Sequence, residues 1–272
     1  FLTDFRAATD LARNRKHEEA LAAFLLLAEG KNIEVSLTDE QRSAVLEQAA
    51  ASARALRDFA KADEITANIP VDAIRKSARL QSLLDQYQSA TMITEFQDED
   101  FTTWPYWKRG EGLLLRGRAR AVMKDGEGAV ADYTRALPLL GDPRMRQSLN
   151  LALGQAHEFL KHDDNTALEA YRIVYGDAES VGGADALGAV QAAARILTRQ
   201  QQPDAALAEL QRIDTTKIRG TWLHSTLLSR ADAHAAAGKR AEAVALCREV
   251  LADASAEKRH QEAAKAKIAE WE

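Results

Sequence analysis

The sequence predicts an all-α solenoid of about seven antiparallel helix pairs with a C-terminal capping helix. Three observations predict it. Alanine recurs in long runs, while only five prolines and 14 glycines interrupt 272 residues. Alanine loses no side-chain entropy in a helix and is the best helix former. Hydrophobic residues make up 46% of the chain but aromatics only 6%, so a core exists and is built from small side chains. Finally, one spacing recurs along the whole chain: a small residue, a second small residue twelve positions on, a larger one four further and an apolar one three beyond that.

The clearest unit runs from Leu114 to Leu137 and reads as helix, short turn, helix, with Gly117, Ala129, Tyr133 and Ala136 in the frame. The first pair, 1–34, carries Ala8, Ala20, Phe24 and Leu27. The stretch EGKNIEVSLTDEQ then interrupts, and Thr38 with Gln41 three residues later has the spacing of a capping box for the next helix. The second pair, 43–70, places Ala50, Ala62, Thr66 and Ile69, and the third, 71–104, places Ala78, Ala90, Thr94 and Gln97. A break follows in EFQDEDFTTWPYWKRG, where Pro105 disfavours helix at Trp104. The fourth pair, 110–143, contains the clearest unit. The fifth, 147–180, carries Gly154, Ala167, Tyr171 and Val174. Gly154 precedes its alanine by thirteen positions, so one extra residue is expected in the turn KHDDNT. GDAESVGGAD reads as a loop before the sixth pair, 187–220, with Ala194, Ala206, Leu210 and Ile213. The seventh, 224–257, carries Ala231, Ala243, Cys247 and Val250. The end, 257–272, is one charged helix with Ala264, Ile268 and Trp271 on a single face, the pattern of a solenoid cap.

Small residues at the crossing point let two helix axes approach, and the larger side chain four positions later fills the space beside them. No pair buries its own apolar face, so successive pairs must stack into a continuous core over 1–272.

These units resemble the tetratricopeptide repeat, a helix-turn-helix of about 34 residues. RGRARAVMKDGEGAVADYTRAL is similar to bacterial members of that family, although Arg120 stands where a large residue is usual and Lys124 where a turn glycine is common. RADAHAAAGKRAEAVALCREVL keeps the turn glycine as Gly238. The resemblance implies a right-handed superhelix whose first helices line a concave groove holding a peptide or another protein.

Little in the chain points to chemistry. Net charge is −5, against the basic excess expected of a nucleic-acid binder. The single cysteine, Cys247, excludes an internal disulfide and falls on a buried helix face with no evident base. His157, His162, Asp163 and Asp164 cluster without a second histidine one helical turn away, and read as a solvated turn. No phosphate-binding glycine loop or nucleophile–base pair is recognisable. The expectation is a non-enzymatic scaffold without metal or cofactor, binding a protein or peptide. A self-associating structural subunit and a nucleic-acid-binding repeat are the alternatives. No apolar run reaches the ~20 residues of a membrane span. A start at Phe1 is compatible with a cytoplasmic protein or with an exported one whose leader was removed.

By the same resemblance, positions one, four and five after each first-helix small residue face the groove. They include Arg13, Arg54, Arg79, Arg118, Gln155, Phe159, Arg195 and Arg199. Of the 21 positions so defined, six are arginine and two acidic, which predicts a basic strip suited to an acidic segment unless the arginines bridge to carboxylates of neighbouring repeats. Trp104, Tyr106 and Trp107 are the alternative anchor for a partner, unless those rings plug the space between repeats.

Overall fold

In the computed structural model residues 1–30, 36–176 and 182–272 are described, and among them there are fifteen α-helices and no strand. The loop expected in GDAESVGGAD and the break after Gly30 fall partly outside the described residues. Two compact units divide the chain, Phe1–Gly141 and Asp142–Glu272.

The first unit holds four helix pairs: α1 (Leu2–Arg13) with α2 (His17–Ala28), α3 (Asp39–Ala55) with α4 (Phe59–Ala67), α5 (Asp72–Asp85) with α6 (Ser89–Phe96), and α7 (Tyr106–Val122) with α8 (Gly126–Ala136). Each helix packs on the next, and α3 also packs on α1 and α5, and α5 on α7. Odd-numbered helices therefore form one layer and even-numbered helices the other. The second unit repeats the scheme with α9 (Pro143–Ala156), α10 (Asp164–Tyr175), α11 (Ala184–Arg199), α12 (Pro203–Gln211), α13 (Gly220–Ala236) and α14 (Arg240–Ala252). There α11 packs on both α9 and α13, and α15 (Lys258–Trp271) closes the stack against α13 and α14. Ala264 of α15 is fully buried, with Ile268 and Trp271 packed beside it. The capping box is present at α3: Thr38 Oγ1 accepts from the Gln41 amide at 3.2 Å, and Gln41 Oε1 accepts from the Thr38 amide at 3.0 Å.

All seven pairs share one turn. A residue in the left-handed region ends each first helix: Arg15, Arg57, Tyr87 and Lys124 in the first unit, His162, Gln201 and Gly238 in the second. In six of the seven the following amide donates to the carbonyl five residues back, as from Lys16 to Leu11 at 3.0 Å and from Asp125 to Arg120 at 2.9 Å. This is the helix stop in which glycine is favoured, yet only Gly238 supplies it.

The turn gives the repeat an independent register. The small first-helix residue lies seven positions before it: Ala8, Ala50, Gly117, Ala194 and Ala231. In the third pair that position is Leu80, so the frame there runs Leu80, Met92, Phe96, two residues later than the spacing of alanines predicts. Leu80, Met92 and Phe96 are buried, whereas Ala90, Thr94 and Gln97 are exposed. Two large apolar side chains replace the usual small pair there.

The extra residue of the fifth pair is not in the turn. His157–Lys161 forms a π-helical turn at the end of α9, and the Asp163 amide reaches the carbonyl of His157, six residues back, at 2.9 Å. A π turn absorbs one residue without changing the loop that follows.

The frame alanines Ala20, Ala62, Ala129, Ala167, Ala206 and Ala243 have no exposed surface. Glycine replaces alanine in the first helix where tyrosine is the larger partner. A Cβ on Gly117 would lie 2.6 Å from the Tyr133 ring, and one on Gly154 would lie 2.4 Å from Tyr171.

The aromatic connector divides in two. Phe101 and Trp104 are buried, stacked edge to face at 4.8 Å between centroids, with Phe101 pressed on the bare backbone of Gly112. Trp104 also donates through Nε1 to Glu99 at 2.8 Å. Tyr106 and Trp107, opening α7, remain exposed. Beside the connector, Arg116 holds Asp132 of α8 through two bonds of 2.8 and 2.7 Å, and its Nη1 caps the carbonyls of Phe96 and Gln97 at the end of α6. Arg120 adds a third bond to Asp132 at 2.9 Å, which gives a structural role to an arginine at the position where the repeat it resembles carries a large residue.

Candidate functional site

Each unit contains a cleft on its layer of odd-numbered helices. The cleft of the first unit, about 820 Å³, runs across α3, α5 and the start of α7. Its α3 wall includes Ala51, Arg54 and Ala55, one, four and five residues after Ala50. Its α5 wall includes Gln81, Leu84 and Asp85, which hold the same three positions after Leu80. The cleft of the second unit, about 840 Å³, repeats this geometry. Arg195, Thr198 and Arg199 come from α11, and Asp232, Ala235 and Ala236 from α13, again one, four and five after Ala194 and Ala231. Glu270 and Trp271 of the cap helix form one end. Four first helices thus present equivalent positions to open space, because a helix that buries its small stripe turns the next stripe outward.

Of the arginines expected in the groove, Arg54, Arg195 and Arg199 line these clefts. Arg79 does not. The two-residue shift of the third pair turns it to the even-numbered layer, where it lies 3.0 Å from Glu95 of α6 and 3.5 Å from Asp63 of α4. Arg13 is exposed beside Asp10 at 3.4 Å. Arg118 is half-buried next to Tyr133, a phenol that burial pushes up to about 12. Gln155 is exposed, and Phe159 lies under the Arg195 guanidinium, 5.2 Å from ring centre to cation. Trp104 is buried and is therefore not a surface anchor, which leaves Tyr106 and Trp107 of that trio exposed.

Arg54, Arg195 and Arg199 are engaged with carboxylates. Glu158, buried in the π turn, accepts from Arg195 at 2.7 and 3.0 Å, from Arg199 at 3.4 Å and from the Tyr171 hydroxyl at 2.9 Å. Arg199 also forks onto Asp164 of α10 at 2.6 and 2.9 Å. In the first unit Arg54 donates through Nε to Asp85 at 3.1 Å. These are bridges between neighbouring repeats, and they offset the positive charge counted along the sequence. Sequence reasoning missed Glu47, Lys108 and Glu111 in the first cleft, and Gln191, Arg240 and Trp271 in the second. The α5 wall is fixed by the left-handed turn at Tyr87, seven positions past Leu80, which the sequence does not mark because only one of the seven turns carries glycine.

Among the described residues no group of three or more His, Cys, Asp or Glu side chains is placed to hold a metal. His157 Nδ1 lies 3.9 Å from Asp163, and His162 is the turn residue. Cys247 is fully buried, and burial pushes its thiol pKa up. No described helix is long and apolar enough to cross a membrane.

No family model matches the chain, and no curated protein does. Among solved structures, a crystal structure of a tetratricopeptide repeat protein from Parabacteroides merdae is similar over 98% of each chain, with a TM-score of 0.52 and 10% identity. At that identity the likeness speaks to fold alone, and the fold is a tetratricopeptide-like helical repeat.

Proposed function

We propose that this protein is a non-enzymatic interaction scaffold that holds an extended segment of a protein partner against its first helices. One observation carries the reading: four first helices turn equivalent positions into open clefts of about 820 and 840 Å³. Clefts of that size suit several side chains and a stretch of main chain. Their walls mix amides, hydroxyls and paired charges, which suits hydrogen bonding to a peptide better than attraction of a highly charged polymer. Since Arg54, Arg195 and Arg199 are neutralised from within, those arginines do not call for an acidic partner.

The test places a photo-crosslinking residue at Gln81, at Thr198 and, as control, at Ile173, which is exposed on the even-numbered helix α10. The expected result is capture of the same partner from Gln81 or Thr198 and not from Ile173. Cleft-filling variants Gln81→Trp and Thr198→Trp should abolish it. Capture confined to a second copy of the chain would establish the self-associating alternative instead, and capture from Ile173 alone would overturn the groove.

A further inference from the structure

Two buried histidines join the cap helix of the second unit to its neighbour. His224, near the start of α13, is fully buried, and His260, in the first turn of α15, is 8% exposed. Their ring centres are 5.7 Å apart. His224 Nε2 lies 2.8 Å from Asp253, in the connector between α14 and α15. Hydrogen bonds from His224 and Ser255 hold Asp253 down to about 2, so the carboxylate is ionised and Nε2 carries the hydrogen. Neither Nδ1 has a hydrogen-bond partner among the described residues. A neutral ring can leave a bare lone pair there, whereas a protonated ring carries a hydrogen on both nitrogens. Each added proton therefore creates a buried donor without an acceptor, and two would set like charges side by side.

The other charges around the pair do not relieve it. Glu257 accepts from the Thr221 hydroxyl and lies 2.8 Å from Arg259. Burial, the Arg259 charge and His224 lower the His260 pKa, and Glu257 only partly opposes them. A group kept neutral when docked takes up its proton more readily when released, so acid favours release. Little else holds α15. Ala264 is fully buried, while Ile268 and Trp271 are only partly so. The ion pairs Lys267–Asp232 and Arg248–Glu272 lie toward its far end and reach solvent, where such pairs contribute little. The last element of a solenoid also has a neighbour on one side only.

We propose that α15 is an acid-released latch on the cleft of the second unit: a proton on His260 detaches the cap from α13 and withdraws Glu270 and Trp271 from the cleft wall. Control of partner binding rests on the scaffold reading above; release of the helix does not. The far end of α15 carries the consequence. Glu270 and Trp271 line the cleft, and Lys267, 5.5 Å over the Trp271 ring, pairs with Asp232 of the α13 wall. Departure of α15 removes the ring and leaves Asp232 without its lysine. A segment seated there loses an apolar wall and meets an uncompensated carboxylate. Histidine titrates in the range where a modest change of pH works such a switch.

Hydrogen exchange of the full chain, followed by mass spectrometry on either side of the histidine range at about pH 7.5 and about pH 5.5 and corrected for the intrinsic effect of pH, reads the latch without a ligand. Protection of α15 should fall about threefold or more in acid, while α10 and α11 keep theirs. His260→Gln should remove the response and keep the protection. Arg259→Gln, which takes away one charge opposing the proton, should shrink the response. Ala264→Glu should leave α15 unprotected at both pH values, giving the released state without acid. Cleft binding is read with histidine-free peptides selected from a random display library against the full chain at the higher pH and lost with Thr198→Trp. They should bind the wild type more weakly in acid, His260→Gln equally at both pH values, and Ala264→Glu weakly throughout. Unchanged α15 protection, or a fall that His260→Gln retains, would overturn the latch and leave the scaffold reading standing. Protection that falls while peptide affinity holds would overturn the link to the cleft. Absence of any peptide lost with Thr198→Trp would count against the scaffold reading, with exchange still deciding the latch.

Discussion

Gly117 and Gly188 offer the same substitution with opposite expected signs. Replacing a helix-interior glycine by alanine stabilises a helix by about 0.8–1 kcal/mol, chiefly by removing freedom from the unfolded chain. At Gly188 the nearest atom to an added Cβ is Trp222, 3.8 Å away, an ordinary contact, so Gly188→Ala should raise stability by roughly that amount. At Gly117 the Cβ would lie 2.6 and 2.7 Å from two carbons of Tyr133, a ring 2% exposed and enclosed by the core. Overpacking of this kind costs about 1–3 kcal/mol, so Gly117→Ala should lose up to ~2 kcal/mol net, and Gly117→Leu more. The sixth pair shows the compatible alternative, Ala194 facing Leu210, both buried. Tyr133→Leu alone leaves a void, and adding Gly117→Ala partly fills it. The two changes should therefore couple favourably by about 1–2 kcal/mol, as contacting residues do. Urea titrations of the four proteins, followed by circular dichroism, measure the cycle. Strict additivity, or a Gly117→Ala variant as stable as Gly188→Ala, would refute close helix approach as the reason for the glycine.

Three other outcomes follow from the same structure. Lys124, at φ 63°, bears a left-handed penalty of about 1–2 kcal/mol that glycine relieves at a cost of some unfolded-chain entropy, so Lys124→Gly should stabilise by up to ~1 kcal/mol and Gly238→Ala should destabilise. Acid should weaken the C-terminal end. Burial, the Arg259 charge and His224, its ring 5.7 Å away, hold His260 below the usual histidine pKa, while hydrogen bonds from His224 and Ser255 bring Asp253 down to about 2. A depressed histidine binds its proton more readily unfolded, so stability is full above about pH 6.5 and falls as pH drops below it. Asp253 adds a second loss between its unfolded pKa and about 2. His260→Gln should flatten the dependence between pH 7 and 5, and an unchanged slope would exclude His260 as its source. The Cys247 thiol should react with a disulfide reagent slowly in the native protein and quickly in urea; fast native labelling would take it out of the core.

The layered helix pairs were legible because the signal is local and redundant. A small residue at the crossing point and a larger one four positions on are both dictated by helix geometry, and six of seven frame alanines are fully buried. The third pair was misread for a chemical reason. Leu80 and Met92 close that pair with bulk instead of close approach, and the alanines at 78 and 90 supplied a false match two residues early. In the fifth pair, the inserted residue was legible but its location was not. Whether one extra residue enters a loop or a π turn depends on what can be buried there, and Glu158 is satisfied in the π turn by two arginines and a tyrosine. That network joins side chains 13 to 41 positions apart and leaves no periodic trace in sequence.

The same limit applies to charge along the groove. Counting arginines at equivalent positions gives a basic strip only if each arginine faces outward alone. In a stacked repeat they do not, since positions one and four of a first helix lie within reach of the neighbouring repeat's carboxylates. Arg54 to Asp85 spans 31 residues and Arg195 to Glu158 spans 37, close to one repeat length. Such a pair holds adjacent repeats in register and cancels its own field, so the potential of the surface depends on side chains one repeat away. In the first cleft three acidic side chains, Glu47, Asp85 and Glu111, stand against three basic ones, Arg54, Arg57 and Lys108, so the lining carries no net charge although the sequence count alone would make the strip basic. That balance is not a property of any single position, and it changes if one repeat shifts by two residues, as the third pair does.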